Sequence, residues 1–160
     1  MSAQLKQMPV YSREAAAAVI DEIKPLLERH HAEIAHYPDI PLKVNDEFFL
    51  EADRKGVLRL FTIRCAQELI GYAVFFVAPS PKYMTSLQAH QYVLYLAPEY
   101  RRGRVGLHFI DWCDGELKGG GVQVVYQHVK TDPKLNFGRL LESLGYTRID
   151  EIYGRRLDHG

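Results

Sequence analysis

The sequence predicts one α/β domain with a central mixed sheet and helices on both faces. Three observations predict it. The first 56 residues carry helical patterns, and from residue 57 the texture turns β-branched and aromatic. Three strand-like runs come in succession and then alternate with helical ones, an order that builds a mixed sheet covered on both sides. Neither a repeat nor a linker divides the 160 residues, a length that suits one core. We expect residues 1–56 to form a helical, acceptor-side part and residues 57–160 to form the sheet and its ligand-binding core.

Residues 5–10 read as a first strand. Ser12 has the chemistry of an N-cap, with Glu14 in the first turn, and the helix it opens runs to about Lys24. Pro25 suits the first position of a second helix, residues 26–35. Two prolines then mark a loop over residues 37–41. Asn45 caps a third helix, residues 47–55, which Gly56 ends. Residues 57–63 and 68–77 read as a hairpin around a turn at residues 65–67. Residues 89–96 make the next strand, rich in Tyr, Val and Leu. Residues 105–117 have a broad apolar helical face, stopped by three glycines at 119–121. Residues 122–129 make another strand. Asp132-Pro133 opens a last helix that Gly145 closes, and residues 147–157 return as a strand or strand pair.

Composition narrows the function. Twenty basic residues balance twenty acidic ones, which argues against a nucleic-acid binder. Cys65 and Cys113 lack any metal-ligand spacing and read as buried free thiols in a reducing compartment. The longest apolar run, residues 72–79, is too short to span a bilayer, and no basic-then-apolar leader is visible at the start. We expect a cytoplasmic protein with no membrane partner.

The chemistry concentrates in residues 94–108, where a strand passes through an Arg/Gly loop into a helix. Such a junction leaves backbone N–H groups without intrahelical partners and favours an anion there. Gly103 and Gly106 let a ligand approach the backbone, and Arg101, Arg102 and Arg104 add positive charge. Read alone, this is a pyrophosphate cradle, a solvated basic loop or a phosphate contact to nucleic acid.

The loop resembles the acetyl-CoA signature of the GNAT superfamily of N-acetyltransferases, Gln/Arg-x-x-Gly-x-Gly/Ala. Arg101 and Gly106 match its ends, while Arg104 stands where glycine is usual and Gly103 lies one residue earlier. Residues 136–146, ending in Gly145-Tyr146, resemble the family's last helix. The resemblance covers residue 57 onward. It implies a twisted, mostly antiparallel GNAT-like sheet and acetyl-CoA as co-substrate, with no metal. It implies a coenzyme site at Leu94, Leu96, Arg101, Arg102, Gly103, Arg104, Val105, Gly106 and Asn136. It also implies an amine acceptor, either a small molecule or a protein, and leaves a homodimer open.

The resemblance aligns His90 with the family's glutamate base, and an imidazole suits a base at neutral pH. The alternative is that His90 only packs or faces solvent. The family's usual acid, a tyrosine on the last helix, is replaced by Leu141. Tyr126, Tyr153 or solvent are left to protonate the thiolate. Tyr92, Glu68 and His128 are the other base candidates. Positions 90, 92, 94 and 96 share one strand face unless a bulge intervenes. His30, His31, Glu33 and His36 read as a solvated helix face rather than a metal site. Asp39, Asp46, Glu47 and Glu51 either attract a cationic amine or form a solvated face. A non-catalytic coenzyme A binder or interaction module of the same fold is the competing function.

Overall fold

The computed structural model describes residues 7–132, 134 and 136–158. They fall into two compact units, residues 1–130 and 131–160. The first unit holds a five-stranded sheet in the order β1-β2-β3-β4-β5. Its strands are β1 (Val10–Arg13), β2 (Leu58–Cys65), β3 (Glu68–Pro79), β4 (Leu87–Leu96) and β5 (Val124–Tyr126). Neighbours run antiparallel except β4 and β5, which are parallel. Helices α1 (Ala16–Ile34) and α2 (Asp46–Arg54) precede β2, and α3 (Val105–Gly119) joins β4 to β5.

Each sheet face has its own core. Val19, Ile23 and Leu26 of α1 and Ala52 of α2 pack with Leu58, Tyr72, Val74, Val93 and Tyr95. On the other face Phe109, Cys113 and Leu117 of α3 pack with Phe61, Ile63, Ala73, Phe75 and Ala89. The predicted mixed sheet with helices on both faces is therefore the observed one. Both cysteines are buried, and Cys113 is a free thiol.

The β2–β3 hairpin turns at Ala66 and Gln67, whose φ angles are +52° and +68°. Cys65 pairs with Glu68 across these two residues, so the loop has the twist-matched geometry of a two-residue turn. Where β3 crosses β4, Gly71 leaves no room for a side chain. A Cβ there would lie 2.5 Å from the Tyr95 carbonyl oxygen and 2.7 Å from Ile63 Cγ2. Gly71→Ala should therefore force the backbone apart and destabilise the fold by about 1–3 kcal/mol. A thermal melt reads it; an unchanged melting temperature would contradict this packing.

Several expected boundaries move, each because a tertiary contact overrides a local signal. The first strand is Val10–Arg13 rather than 5–10, and residues 5 and 6 lie outside the described residues. Ser12 is no cap: it lies in β1 opposite Thr62. Glu14 accepts hydrogen bonds from Thr62 Oγ1 and from Arg64, so it serves the sheet and not the first helical turn. The cap of α1 comes from another helix, because Ala16 N–H donates to Asp53 Oδ2 at 2.7 Å. Pro25 does not split the segment but sits inside α1. Buried Ala16, Val19, Ile23 and Leu26 run as one stripe through it, and Pro25 itself is exposed, so water can reach the carbonyl it frees. Asn45 caps α2 as expected, its side chain accepting from Phe48 N–H.

In the second unit α4 spans Phe137–Ser143, with Asn136 at its N-cap and Gly145 at φ +91° after its end. The expected start at Asp132-Pro133 is corrected: the Asp132 carboxylate accepts from Lys134 N–H in a turn, and Pro133 lies outside the described residues. The expected strand over 147–157 is also corrected, since its described residues form none. Ile149, Ile152 and Tyr153 are exposed. A segment without ladder partners gains nothing from an extended conformation.

Candidate functional site

Strand β4 carries the site, and its irregularity decides which side chains share a face. Val74 pairs with Val93 and Phe75 with Gln91, so Tyr92 is an extra residue bulged out of the ladder. The bulge reverses the parity. His90 lies opposite Phe76, and Val93 and Tyr95 pack beneath α1 and α2. Leu94 and Leu96 pack on the α3 side instead. A bulge thus does intervene, and positions 90 and 92 do not share a face with 94 and 96.

Beyond His90 the sheet opens. β5 pairs with β4 only at Gln88↔Val124, Ala89↔Val125 and His90↔Tyr126, and it ends there rather than continuing to residue 129. Past this point the buried Gln91 side chain spans the gap, its Oε1 accepting from His128 N–H at 2.7 Å. Ala97 N–H donates toward β3, to Ile70 O at 2.8 Å. Alternation then turns the N–H and C=O of Leu94 and Leu96 to the open side of β4. The Leu96 carbonyl confirms this direction by accepting from Arg101 Nε at 2.7 Å.

The open edge leads to the start of α3. After a 3₁₀ turn at Pro98–Tyr100 the chain takes a left-handed step at Gly103, φ +69°. Arg104 follows at φ −108° as the N-cap. The glycine requirement thus falls on residue 103, and an arginine at 104 meets no backbone penalty. Val105, Gly106 and Leu107 occupy the first turn, where N–H groups have no intrahelical acceptor. A Cβ on Gly106 would meet only Leu96 Cδ2, at 3.8 Å, so the helix start sits beside the end of β4. Arg102 and Arg104 are exposed at this corner.

Arg101 has a different posture. Its guanidinium is paired with Glu33 of α1, with Nη2 to Oε2 at 2.8 Å, and lies 5.4 Å from the centre of the Tyr95 ring. This pairing holds the Glu33 carboxyl below its ordinary range. Arg101 therefore ties the loop to both β4 and α1. The solvated helix face expected at His30 and Glu33 is corrected: Glu33 pairs with Arg101, 68 residues away, and His30 packs on Tyr95, partners that no local pattern reveals. Gln91 was also missed, although a polar residue within an apolar strand is a visible signal.

The His30 ring packs at a tilt against Tyr95, centroids 5.0 Å apart, and burial pushes its pKa down to about 4. Glu33 opposes that shift, while Arg101, Lys130 and His31 reinforce it. The unfolded chain therefore binds the extra proton between about pH 6.5 and 4. Stability should be full above that window and fall as pH drops through it. Urea melts from pH 7 to pH 5, compared with His30→Gln, check this; an identical pH slope in the variant would refute it.

His90 is exposed, and its ring stacks on Tyr126 with centroids 4.6 Å apart. Burial, then the neighbouring His128, lowers its pKa below the ordinary imidazole value. Tyr92 packs against Phe49 and Phe76 of the α2 side. Asn136 belongs to the second unit, where it caps α4 without a side-chain hydrogen bond. Tyr153 lies exposed in that unit. Among the described residues no cluster of three or more metal-ligating side chains occurs. No helix there is long and apolar enough to cross a membrane.

No family model matches the chain, and no curated protein does either. Solved structures do. A ribosomal-protein-alanine N-acetyltransferase from Brucella melitensis is 14% identical, with a TM-score of 0.69 over 94% of this chain and 99% of that one. An aminoglycoside acetyltransferase from an uncultured soil metagenomic sample, in complex with sisomicin, is 14% identical, with a TM-score of 0.71 over 92% and 96%. A predicted acetyltransferase with acetyl-CoA from Clostridium acetobutylicum is 14% identical, with a TM-score of 0.69 over 96% and 99%. The likeness at these identities is one of fold.

Proposed function

From a chain with the fold of the GNAT acetyltransferases, we propose an N-acetyltransferase that moves the acetyl group of acetyl-CoA to a primary amine. One observation carries the reading: the open edge of β4 runs directly to the N-terminus of α3. An extended pantetheine arm needs backbone groups turned to the open edge beside it, here those of Leu94 and the Leu96 N–H, since Arg101 holds the Leu96 carbonyl, and a pyrophosphate needs a helix start. The two are adjacent at Leu96 and Gly106.

The residues divide the work as follows. Leu94 N–H polarises the thioester carbonyl as negative charge develops on its oxygen. The first-turn N–H groups of Val105 and Gly106, with Arg102 and Arg104, hold the pyrophosphate. Arg101 keeps the loop in place through Leu96 and Glu33. His90 takes the ammonium proton, directly or through water, and the neutral amine then attacks the carbonyl carbon. The C–N bond forms, the C–S bond breaks, and the thiolate leaves. Tyr126, stacked on His90, or solvent returns a proton to the sulfur.

Acetyl-CoA should raise the melting temperature, and the rise should grow with ligand concentration. Thiol release across an amine panel then tests transfer. No stabilisation at millimolar acetyl-CoA would defeat the proposal. Stabilisation without thiol release from any amine would support the non-catalytic coenzyme A binder instead.

A further inference from the structure

Strands β3 and β4 and helix α2 expose a run of aromatic rings on the face that carries His90. Phe48 and Phe49 of α2 meet edge to face at 5.4 Å, and both approach Phe76 of β3. The bulged Tyr92 packs on Phe49 and Phe76, each at 5.6 Å. Phe48 remains 54% exposed and Tyr92 59%. Phe76 is the direct cross-strand neighbour of His90, whose ring stacks on Tyr126. Four rings therefore cluster over α2, β3 and β4, and the His90–Tyr126 pair stands one cross-strand step from Phe76, at the point where β4 and β5 part. Exposed aromatic surface clustered beside a candidate base is the kind of surface a ligand covers.

The charges beside it disfavour one class of occupant. Every carboxylate of α2 already has a partner from this chain. Asp46 pairs with Lys24 at 2.7 Å, and Glu47 with Arg54 at 2.6 Å. Glu51 pairs with Arg54 and Lys55, and Asp53 accepts from Ala16 N–H. Lys24, Arg54, Lys55 and the Ala16 N–H thus offset the carboxylates of α2, which weakens the pull of this helix on a polyamine or a polycationic sugar. What remains beside His90 is ring surface, which binds other rings by stacking and edge contacts.

We propose that the acceptor is a primary amine joined to an aromatic ring by a short alkyl chain. The inference rests on the N-acetyltransferase reading. The ring lies against Phe48, Phe76 and Tyr92, and the amine reaches toward His90. Directly paired residues stand about 5 Å apart on a sheet face, so a linker of roughly two or three carbons spans the step from Phe76 to His90.

Thiol release from acetyl-CoA should be measured with phenethylamine, hexylamine, spermidine and kanamycin. Phenethylamine should show the highest kcat/KM, by about tenfold or more, the scale of hydrophobic-pocket discrimination. Phe48→Ala should raise its KM about tenfold and leave acetyl-CoA affinity unchanged. Preference for hexylamine, spermidine or kanamycin would overturn the aromatic acceptor and leave the acetyltransferase reading intact. Loss of acetyl-CoA binding altogether would overturn both. Should the panel give no turnover, phenethylamine is titrated calorimetrically onto the protein saturated with coenzyme A. Saturable heat that weakens in Phe48→Ala supports the proposal; no saturable heat, or heat the variant leaves unchanged, overturns it.

Discussion

His90→Ala should lower turnover by about 10²–10⁴-fold, the usual contribution of a positioned general base, with acetyl-CoA affinity unchanged. His90 sits at the last paired position of β4 and β5, where the sheet opens. It is exposed enough to meet an acceptor and is held in place by the Tyr126 ring. Burial and His128 keep its pKa below the ordinary histidine value. The imidazole is therefore unprotonated at neutral pH and ready to accept a proton. In the wild type kcat/KM should rise with pH through that lowered pKa and level off by neutrality. The alanine variant should lose this limb. Equal turnover in wild type and variant, with the limb retained, would assign the base to Tyr92 or His128; Glu68, opposite Cys65 at the β2–β3 turn, lies eight residues along β3 from Phe76, the partner of His90, and is too far to serve.

The parts of the fold that were legible are those in which neighbouring residues supply the cause. The β2–β3 hairpin, the apolar stripe of α3 and the Asn45 cap all follow from patterns a few residues long. The strand-to-helix loop was legible for the same reason. Its φ > 0 step at Gly103 shows how the arginine at the motif's glycine position is accommodated.

Other features depend on distant partners and left no local trace. Asp53 caps α1 from 37 residues away, so no signal beside Ala16 could locate the helix start. Pro25 reads as a helix opener, yet burial of Ile23 and Leu26 on one stripe carries α1 through it. The bulge at Tyr92 is hidden because residues 92–96 are apolar or aromatic throughout, so no alternation betrays the slipped register. That one inserted residue decides which side chains can reach an acceptor, and it is a property of the β3–β4 pairing.

Gly106→Glu should cut acetyl-CoA affinity by about 10²-fold or more, the order of one or two charge-assisted hydrogen bonds lost. Position 106 is the second residue of α3, on the turn whose N–H groups have no intrahelical partner. A carboxylate there competes for the same donors and repels the pyrophosphate. The fold itself should not suffer. The glycine is at ordinary negative φ, and its Cβ would make only van der Waals contact with Leu96 at 3.8 Å. An acidic side chain at a helix N-terminus is also favoured by about 0.3–1 kcal/mol. The expected result is therefore an unchanged or slightly raised melting temperature without ligand, together with a lost response to acetyl-CoA. Gly106→Ala separates bulk from charge, since its single methyl group fills part of the cradle without repelling an anion. It should bind more weakly than wild type and more tightly than the glutamate variant. Full affinity in Gly106→Glu would move the pyrophosphate away from the start of α3 and remove the main support for the acetyl-CoA site.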